Sequence, residues 1–380
     1  MKIGVVAAQT PPDPGGLGET VWSKHRWLLG RGVDARIITY SARASRQGAD
    51  PALFAPEITR YEPVAHVDGS FTQKLRDIRA MARLLRATLS DCDLIEVQGW
   101  SLWATALLLF PGPLGGKPWL LIFRGTDGWE YRPRVLFDFK RRMNRRAHTL
   151  ANSRGLAAHL EGRGLRLDGN IWSEVDPSVF PLPEEPPEPR LIVSVKGLHP
   201  TGDPETLIRA LGILKARGVP FQFVHVGMGP LLEPMRRLCR ALSIEKETEF
   251  TDQVPHAEVA AYLRRAAVKV LSSRLDSCPH VIGEAMMMGR PVVSTATTGA
   301  RELIREGETG LLARVGDPAD LAEKIARMLR DPAGARAMGL RAHAWASRNL
   351  HTDVVFGKYL ALYDSLTSTT RNPPPPRPAR

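Results

Sequence analysis

Short apolar runs alternate with longer amphipathic stretches along the first half of the chain. Lys2 to Ala8 and Val33 to Tyr40 are β-prone runs, and they flank a stretch from Glu19 to Gly30 with helical spacing. Phe71 to Leu89 predicts a long amphipathic helix. Three further buried strands are predicted at Leu94 to Val97, Trp119 to Phe123 and Thr149 to Asn152. Ser153 is placed to cap the next helix, and the pattern predicts βαβ units around a parallel sheet.

The alternation breaks near Trp172 and then restarts. A proline- and acid-rich stretch from Pro181 to Pro189 predicts an interdomain linker, and a second βαβ series begins at Leu191. Its later strands are predicted at Phe221 to Val226, Glu249 to Phe250, Val268 to Leu271 and Pro291 to Thr295. The predicted segments are an N-terminal domain (1–172), a linker (173–190), a C-terminal domain (191–350), a final helix (351–367) and a disordered Pro/Arg tail (368–380).

The composition is that of a soluble globular protein. The chain has 380 residues, 43% of them hydrophobic and 24% charged, which suits two α/β domains. Cys92, Cys239 and Cys278 have no CxxC or His-linked spacing, so neither a disulfide framework nor a zinc site is predicted, and a reduced cytoplasmic protein is expected. The first residues lack the apolar region of a signal peptide, and the longest apolar run, Leu102 to Phe110, is far shorter than the ~20 residues of a membrane span.

The net charge of +12 does not by itself identify a partner. Between 132 and 146, basic residues surround apolar ones on a predicted helix, which is a candidate for peripheral contact with the inner face of a membrane. An ordinary solvated face is the commoner outcome for such a cluster. No recognised nucleic-acid motif accompanies these residues, so no nucleic-acid partner is expected.

Two carboxylates lie around the start of a predicted helix that follows the strand at Val268 to Leu271. Asp276 is in the intervening loop, the helix opens at His280 and Val281, and Glu284 is about one turn in. In a parallel α/β sheet, such a loop and the first helical turn form a crevice whose backbone N–H groups favour phosphate. An acid in the first turn is also common as a dipole-compatible surface residue, so the spacing alone leaves both interpretations open.

Glycine turns follow two of the predicted strands, at Gly15 to Gly18 and at Val226 to Pro230. Glycine lets the backbone approach a phosphate closely because it has no Cβ. Such turns are also common as tight βα connections without a ligand. The candidate ligand contacts are Gly16, Gly18, Gly227 and Gly229, together with His280, Val281 and Glu284 at the start of the predicted helix.

The segment that begins at Asp276 reads D-x7-E, then A-M-x-x-G-x-P-V-V-S-T, then G-A-R-E-L-I-x-x-G-x-T-G-L-L. With the glycine turns, Arg124-Gly125-Thr126-Asp127 and Gly316-Asp317-Pro318, it resembles retaining glycosyltransferases of glycosyltransferase family 4, over the chain up to Tyr363. The resemblance implies an α/β chain of GT-B fold, with two Rossmann-like parallel-sheet domains facing a central cleft. It also implies an acceptor bound mainly by the N-terminal domain, a donor bound by the C-terminal domain, and a last helix that crosses back to the first.

The family pattern implies roles for the two acids. Its second acid, here Glu284, contacts the ribose hydroxyls, and its first, here Asp276, lies near the donor sugar and phosphates. The family usually has Glu at the first position. Aspartate is one methylene shorter, which changes its reach toward the sugar.

The diphosphate-binding loop departs further from the family. Many members have an Arg after the strand that corresponds to Leu191 to Val195, and a Lys about five residues later, whereas this chain has Gly197 and Gly202. The candidate replacements are Lys196, His199, Arg274 and Arg301. A similar departure is Arg124, where the family often has a His that faces the donor sugar. Arginine can hold a phosphate or sugar oxygen as a forked donor, or it can pair with Asp127.

The candidate catalytic residues are accordingly Asp276, Arg124 and Lys196. The acceptor side is predicted from aromatic and polar residues of the N-terminal domain, because aromatic rings pack well on sugar faces. The candidate acceptor contacts are Trp22, Lys24, Trp100 and Asp127. Asp91-Cys92-Asp93 is interpreted as a solvated loop, and the resemblance implies neither a cofactor nor a metal.

The resemblance implies a retaining transferase that moves a hexose or N-acetylhexosamine from a nucleoside-diphosphate sugar, with UDP-sugar the first choice. The acceptor is a small secondary metabolite, a lipid-linked sugar or a cell-envelope glycan. Two alternatives stay open: a catalytically silent nucleotide-sugar-binding relative, which the missing cations favour, and a nucleotide-sugar epimerase of the same fold.

Overall fold

A computed structural model of the protein describes residues 1–8, 10, 16–40, 58–61, 71–125, 129, 134–251 and 254–371. The chain forms two compact units. Unit 1 comprises Met1–Ile171 and Phe356–Arg380, and unit 2 comprises Trp172–Val355.

The described elements of unit 1 alternate between strands and helices. The strands are β1 (Lys2–Ala7), β2 (Asp34–Tyr40), β3 (Ile58–Tyr61), β4 (Leu94–Gln98), β5 (Trp119–Phe123), β6 (His148–Ala151) and β7 (Gly169–Asn170). The helices are α1 (Gly16–Leu29), α2 (Phe71–Leu89), α3 (Leu102–Leu109), α4 (Arg134–Arg146) and α5 (Arg154–Glu161), with a 3₁₀ turn at Gly112–Gly116.

Unit 2 repeats this alternation. Its strands are β8 (Leu191–Val195), β9 (Gln222–Val226), β10 (Thr248–Thr251), β11 (Val268–Leu271), β12 (Val292–Thr295) and β13 (Leu311–Ala313). Its helices are α6 (Pro204–Ala216), α7 (Leu232–Ala241), α8 (His256–Arg265), α9 (His280–Met287), α10 (Thr298–Leu303), α11 (Pro318–Arg330) and α12 (Pro332–Asn349), and a 3₁₀ turn lies at Pro200–Gly202. The last helix, α13 (Thr352–Arg371), begins in unit 2 and ends in unit 1.

Both sheets are parallel and have the same strand order. Unit 1 has the order β3-β2-β1-β4-β5-β6-β7, and unit 2 has β10-β9-β8-β11-β12-β13. The first six strands of each therefore follow the doubly wound Rossmann order, which reverses between β1 and β4 and again between β8 and β11. Ligands of such sheets bind outside the carboxyl ends of the strands at this switch point.

The central strands form because they are short, mainly apolar runs. All five residues of β4 and all five of β5 are buried, as expected for parallel strands that helices cover on both faces. The predicted cap is confirmed, since the Ser153 hydroxyl accepts a hydrogen bond of 3.1 Å from the backbone N–H of Leu156. The patterns did not predict β3, β7 or β13, which have four, two and three residues.

The segment predicted as a linker packs on unit 2. The backbone N–H of Val175 donates to the carbonyl of Leu350 at 2.7 Å, and Val175 and Phe180 are buried in the apolar core of the unit. At the other end of the chain, α13 extends four residues into the segment predicted as a tail, and 372–380 lie outside the described residues.

The basic helix α4 has one face in the interior of unit 1. Lys140, Met143 and Asn144 are buried, whereas the described arginines of this helix are exposed. Residues 132 and 133 lie outside the described ranges. Among the described helices, none combines the length and apolar character that crossing a membrane requires.

Candidate functional site

The loops that leave β8 and β11 meet at the switch point of unit 2. The Lys196 ammonium lies 2.7 Å from Asp276 Oδ2. The Lys196 side chain is 34% exposed and that of Asp276 is 13% exposed, so the pair lies at the surface and is open to a ligand. The structure therefore brings together two of the three predicted catalytic residues.

Of the two glycines of the β8 loop, Gly202 makes room for Lys196 and Gly197 makes room for His199. A Cβ added to Gly202 would lie 3.2 Å from Lys196 Cγ and 3.1 Å from the carbonyl oxygen of Gly197. A Cβ on Gly197 would lie 3.0 Å from the imidazole Cδ2 of His199. The aliphatic stem of Lys196 thus crosses the position that the family pattern gives to a lysine side chain.

The other candidate cations have different partners. Arg274 Nε lies 3.0 Å from Asp203 Oδ2, and Arg301 Nε donates to the carbonyl of Ala296 at 3.1 Å. His199 is exposed. Of the four candidates, Lys196 is the one that the described structure places against Asp276.

The predicted glycine turn after β9 supports the same loop. Gly227 has φ +129°, and a Cβ there would lie 2.6 Å from the carbonyl oxygen of Lys196. A Cβ on Gly229 would lie 2.3 Å from the carbonyl oxygen of Leu198. Such distances exclude any side chain, so both glycines are required for the close approach of the two loops. Their contact with a donor stays a prediction.

Glu284 lies at the start of α9, where the sequence predicts it, and is 5% exposed. Its Oε1 is 2.8 Å from His256 Nε2. His280 is the half-buried first residue of α9, Val281 is buried, and no side chain caps this helix. His256 was missed in the sequence because it stands alone at the start of α8, with no motif around it.

Two buried basic residues lie behind these loops. His225 Nε2 is 2.9 Å from the carbonyl oxygen of Lys196, and burial lowers the pKa of this imidazole to about 4. Lys269, in β11, is fully buried and donates to the carbonyl of Val270 at 2.6 Å. Burial lowers the pKa of Lys269 to about 7, and Lys196 adds to this effect while Glu284 opposes it.

Replacing Lys269 with methionine should stabilise the protein at pH 7 and flatten its pH dependence. The pKa of this ammonium falls from 10.5 when unfolded to about 7 when folded, so between these values the unfolded chain binds the additional proton. Wild-type stability should therefore rise with pH through this residue, by up to ~1.4 kcal/mol per pH unit. Urea unfolding at pH 7, 8 and 9 measures the effect.

The advantage of the Lys269→Met variant should shrink as the pH rises from 7 to 9. The exposed Lys246→Met variant is the control, and its difference from wild type should not change with pH. Parallel stability profiles of wild type and Lys269→Met would contradict the assignment.

In unit 1, Arg124 follows β5 and is 8% exposed. Its Nε donates to Gln98 Oε1 at 2.6 Å, and its Nη2 lies 3.4 Å from the Tyr359 hydroxyl. Gln98 ends β4, so Arg124 is held at the carboxyl ends of two central strands. Its predicted partner Asp127 lies outside the described residues.

Lys24 is not an acceptor contact in this structure, which corrects the prediction. It is fully buried, and its ammonium is 2.6 Å from Glu96 Oε2. Glu96 also accepts hydrogen bonds from Gln98 and Tyr363. Burial raises the pKa of the Glu96 carboxyl, but Lys24 and these donors outweigh it and hold the pKa below its usual range. The lysine faces inward because a carboxylate in the centre of a buried strand needs a cation beside it.

Two further predicted acceptor residues, Trp22 and Trp100, are partly buried. Trp22 stacks on His25 with ring centroids 5.7 Å apart, and Trp100 packs against the apolar core of unit 1. Gly16 is exposed and Gly18 is buried in the first turn of α1. Across the described ranges, no three His, Cys, Asp or Glu side chains are grouped where they could hold a metal ion.

Family models match both halves of the chain. Residues 14–168 match the model described as Glycosyltransferase Family 4, and residues 179–345 match the model described as Glycosyl transferases group 1.

Curated relatives are similar over part of the chain. One is the GDP-mannose-dependent alpha-(1-6)-phosphatidylinositol monomannoside mannosyltransferase of Mycolicibacterium smegmatis, 30% identical over 42% of this chain and 44% of its own length. Another is the 2-deoxystreptamine N-acetyl-D-glucosaminyltransferase of Niallia circulans, 27% identical over 38% of this chain and 37% of its own length. The chain thus matches less than half the length of these relatives.

Solved structures match nearly the whole chain. Anabaena HepE in complex with UDP has a TM-score of 0.76 and 18% identity, and covers 96% of this chain and 100% of its own. Sucrose-phosphate synthase from Thermosynechococcus elongatus has a TM-score of 0.80 and 19% identity, and covers 97% and 99%. The predicted fold class, two Rossmann-like parallel-sheet domains as in GT-B glycosyltransferases, is confirmed.

Proposed function

We propose that this chain, whose halves belong to the Glycosyltransferase Family 4 and the Glycosyl transferases group 1 domain families, transfers a sugar from a nucleoside-diphosphate donor to an acceptor hydroxyl. The observation that carries the proposal is the pair formed by Lys196 and Asp276 at the switch point of unit 2. A donor that binds there meets a cation for its diphosphate and a carboxylate for its sugar.

The chemistry requires stabilisation of a departing diphosphate. Lys196 supplies positive charge, and the uncapped start of α9 adds backbone N–H groups and the positive end of the helix dipole. Glu284 can accept hydrogen bonds from a ribose diol. Its present partner, His256, keeps the carboxylate oriented at 2.8 Å and must share or release it when the ribose binds.

Arg124 is a forked donor in unit 1. Because Gln98 and Asn152 hold its side chain and its carbonyl at 2.6 Å each, its position is fixed before a ligand arrives. Arginine stays protonated and cannot act as a base at neutral pH. We assign it to binding a phosphate or sugar oxygen, and we propose same-face substitution with retention, without a protein nucleophile.

A UDP-sugar is the first choice of donor. The matched HepE structures contain UDP and UDP-glucose, which supports uridine. The name of the Mycolicibacterium relative specifies GDP-mannose, so guanosine is the second choice. The acceptor class we propose is a small hydroxylated metabolite or a lipid-linked sugar.

A thermal-shift screen with UDP-, GDP-, ADP- and TDP-sugars should find a stabilising donor. A ligand at one hundred times its dissociation constant adds ~2.7 kcal/mol to the free energy of unfolding, which should raise the melting temperature by several degrees. Glu284→Ala should abolish the shift because it removes the carboxylate that we propose accepts hydrogen bonds from the ribose of the donor.

Glu258→Ala is the matched control, since this exposed acid lies on α8 beside His256, and it should leave the shift intact. Donor binding without transfer of the sugar to any tested acceptor, and so without release of the nucleoside diphosphate, would favour a catalytically silent binding protein. No stabilisation by any of the four donors would contradict the proposed function.

A further inference from the structure

A second candidate binding site lies at the amino ends of the unit 2 strands, opposite the ends that carry the candidate donor site. A cavity of about 770 Å³ is lined by Arg190, Ala267 and Pro291, which directly precede β8, β11 and β12. The loops with Lys196 and Asp276 leave the carboxyl ends of β8 and β11. These strands have four or five residues, so their two ends are about 15 Å apart, at ~3.3 Å per residue. The cavity is therefore distinct from the candidate donor site, and its volume is typical of small-molecule sites.

The mouth and floor of the cavity are apolar. Leu182 and Leu340 line it and are 43% and 45% exposed, while Met288 and Met328 behind them are buried. Gly289 has φ +65°, and a Cβ there would lie 2.6 Å from Leu182 Cδ1, so the leucine rests directly on this glycine. Exposed leucines over buried methionines form a surface that an alkyl chain can cover.

Basic groups surround this apolar surface. The charged lining residues are Arg190, Arg290, Arg330, Arg336, Glu184 and Glu185. In the described part of the chain, Arg330 has a carboxylate 3.9 Å away, that of Glu323, and no carboxylate lies within 4.0 Å of the other three arginines. The excess of positive charge at the cavity is thus not neutralised by the protein.

Arg290 is the basic group most deeply placed in this lining. It is 6% exposed, its Nη2 donates to the carbonyl oxygens of Glu185 and Arg264, and its buried Nε has no hydrogen-bond partner. Burial lowers its pKa, the charges of Arg336 and Arg264 lower it further, and the charge of Glu185 opposes them. A buried cation with no carboxylate in contact is costly, and an oxyanion beside Arg290 and Arg336 would offset that cost.

We propose that this cavity binds a single-chain anionic amphiphile, with its chain over Leu182 and Leu340 and its oxyanion head beside Arg290 and Arg336. The arginine fork matches the two oxygens of a phosphate or carboxylate. Since the cavity lies about one strand length from the donor loops, at ~3.3 Å per residue, its ligand does not occupy the candidate donor site. The site therefore goes beyond the proposed transfer reaction.

Isothermal titration calorimetry of the full chain tests the proposal. The probes are monododecyl phosphate and dodecanoate, both below their critical micelle concentrations, with dodecyltrimethylammonium and inorganic phosphate as the tail-only and head-only comparisons. We expect one saturable site for at least one anionic amphiphile, and the better of the two identifies the head group. Dodecyltrimethylammonium should not bind, and phosphate alone should bind at least about tenfold more weakly.

Two exposed positions allow variants that keep the fold. Arg336→Glu and Leu340→Asp should each lower the affinity by at least about tenfold, whereas Arg237→Glu, an exposed arginine on α7, should leave it unchanged. The proposal is overturned if neither anionic amphiphile binds, if the cationic one binds equally well, or if both cavity variants keep wild-type affinity. Circular dichroism of each variant separates loss of binding from loss of fold.

Discussion

Replacing Lys196 with glutamine should lower the rate of nucleotide release from the donor by about 10²–10³-fold, the usual effect of removing one preorganised electrostatic donor. Lys196 is the cation that the described structure places against Asp276 at the switch point of unit 2. Glutamine keeps the approximate length of the side chain and removes its charge. Initial rates with the donor that the thermal-shift screen identifies measure the effect.

Two variants show whether the charge or the side chain itself matters. Lys196→Arg keeps a cation over Gly202 and should retain more activity than Lys196→Gln. Arg237→Gln removes an exposed charge elsewhere in the same unit and should leave the rate unchanged. A Lys196→Gln rate within twofold of wild type would refute the assignment of leaving-group stabilisation to this lysine.

The same geometry predicts that the cation can be moved along the loop. Because a Cβ at Gly202 would lie 3.2 Å from Lys196 Cγ, lysines at both positions would compete for one space. The double variant Lys196→Gly, Gly202→Lys removes this competition and places a lysine where the family pattern has one. It should recover part of the activity that Lys196→Gln loses, and Gly202→Lys alone should not raise the rate.

The sequence was sufficient for the architecture because the central strands are short, mainly apolar runs. β5 is the clearest case, with five consecutive buried residues from Trp119 to Phe123. β7 and β13 have two and three residues, too few for a period to be recognised, and β3 (Ile58–Tyr61) has four residues that do not form an apolar run. β3, β7 and β13 also lie at the edges of their sheets, where pairing on one side is enough to define a strand.

The candidate site was predictable only where residues follow a strand in a recognisable order. Lys196, Asp276 and Glu284 could be named on that basis, and the structure brings the first two together. His256 could not, because it becomes part of the site through the packing of a separate βα unit. No local pattern distinguishes it from an ordinary helix start, whereas Lys269 is the one charged residue within the apolar strand Val268–Leu271.

The aromatic residues around Lys24 favour its prediction as an acceptor contact. Its position is decided instead by the strand it faces, β4. Its partner was visible in the sequence: Glu96 is the one acid within the apolar strand Leu94–Gln98. A carboxylate at such a position is rarely fully buried unless a cation is paired with it. A lysine on the neighbouring helix α1 should therefore have been placed in the interior.

Replacing Lys24 with methionine should destabilise unit 1 by about 3–5 kcal/mol, the typical cost of breaking a buried ion pair from one side. Both side chains of the pair are at most 1% exposed, so water cannot replace the lost ammonium. The remaining donors, Gln98 and Tyr363, are neutral and would leave a buried charge. Urea unfolding measures the loss, and hydrogen exchange of the β4 amides assigns it to unit 1.

A double-mutant cycle separates the coupling of the pair from the cost of isolating one charge. The variant Lys24→Met, Glu96→Met removes both charges and should be more stable than Lys24→Met alone, because no unpaired ion stays buried. The matched exposed pair is Arg209 with Glu205, whose side chains are about half exposed at 2.7 Å. Arg209→Met should cost less than about 1 kcal/mol, and an equal cost at both sites would contradict the importance of burial.

The variants of this cycle should also affect the candidate site residue Arg124, because Glu96 and Arg124 both bond to the side-chain amide of Gln98. That amide donates to Glu96 and accepts from Arg124 Nε at 2.6 Å. When Glu96 loses its lysine, it competes more strongly for the donors around it, and the amide that orients Arg124 shifts with it. Tyr363, on the last helix, donates to the same carboxylate, and Tyr359 lies 3.4 Å from Arg124 Nη2. A buried hydrogen-bond network of this kind fixes its members together, so the position of Arg124 depends on the Lys24–Glu96 ion pair, whose carboxylate lies on the neighbouring strand β4.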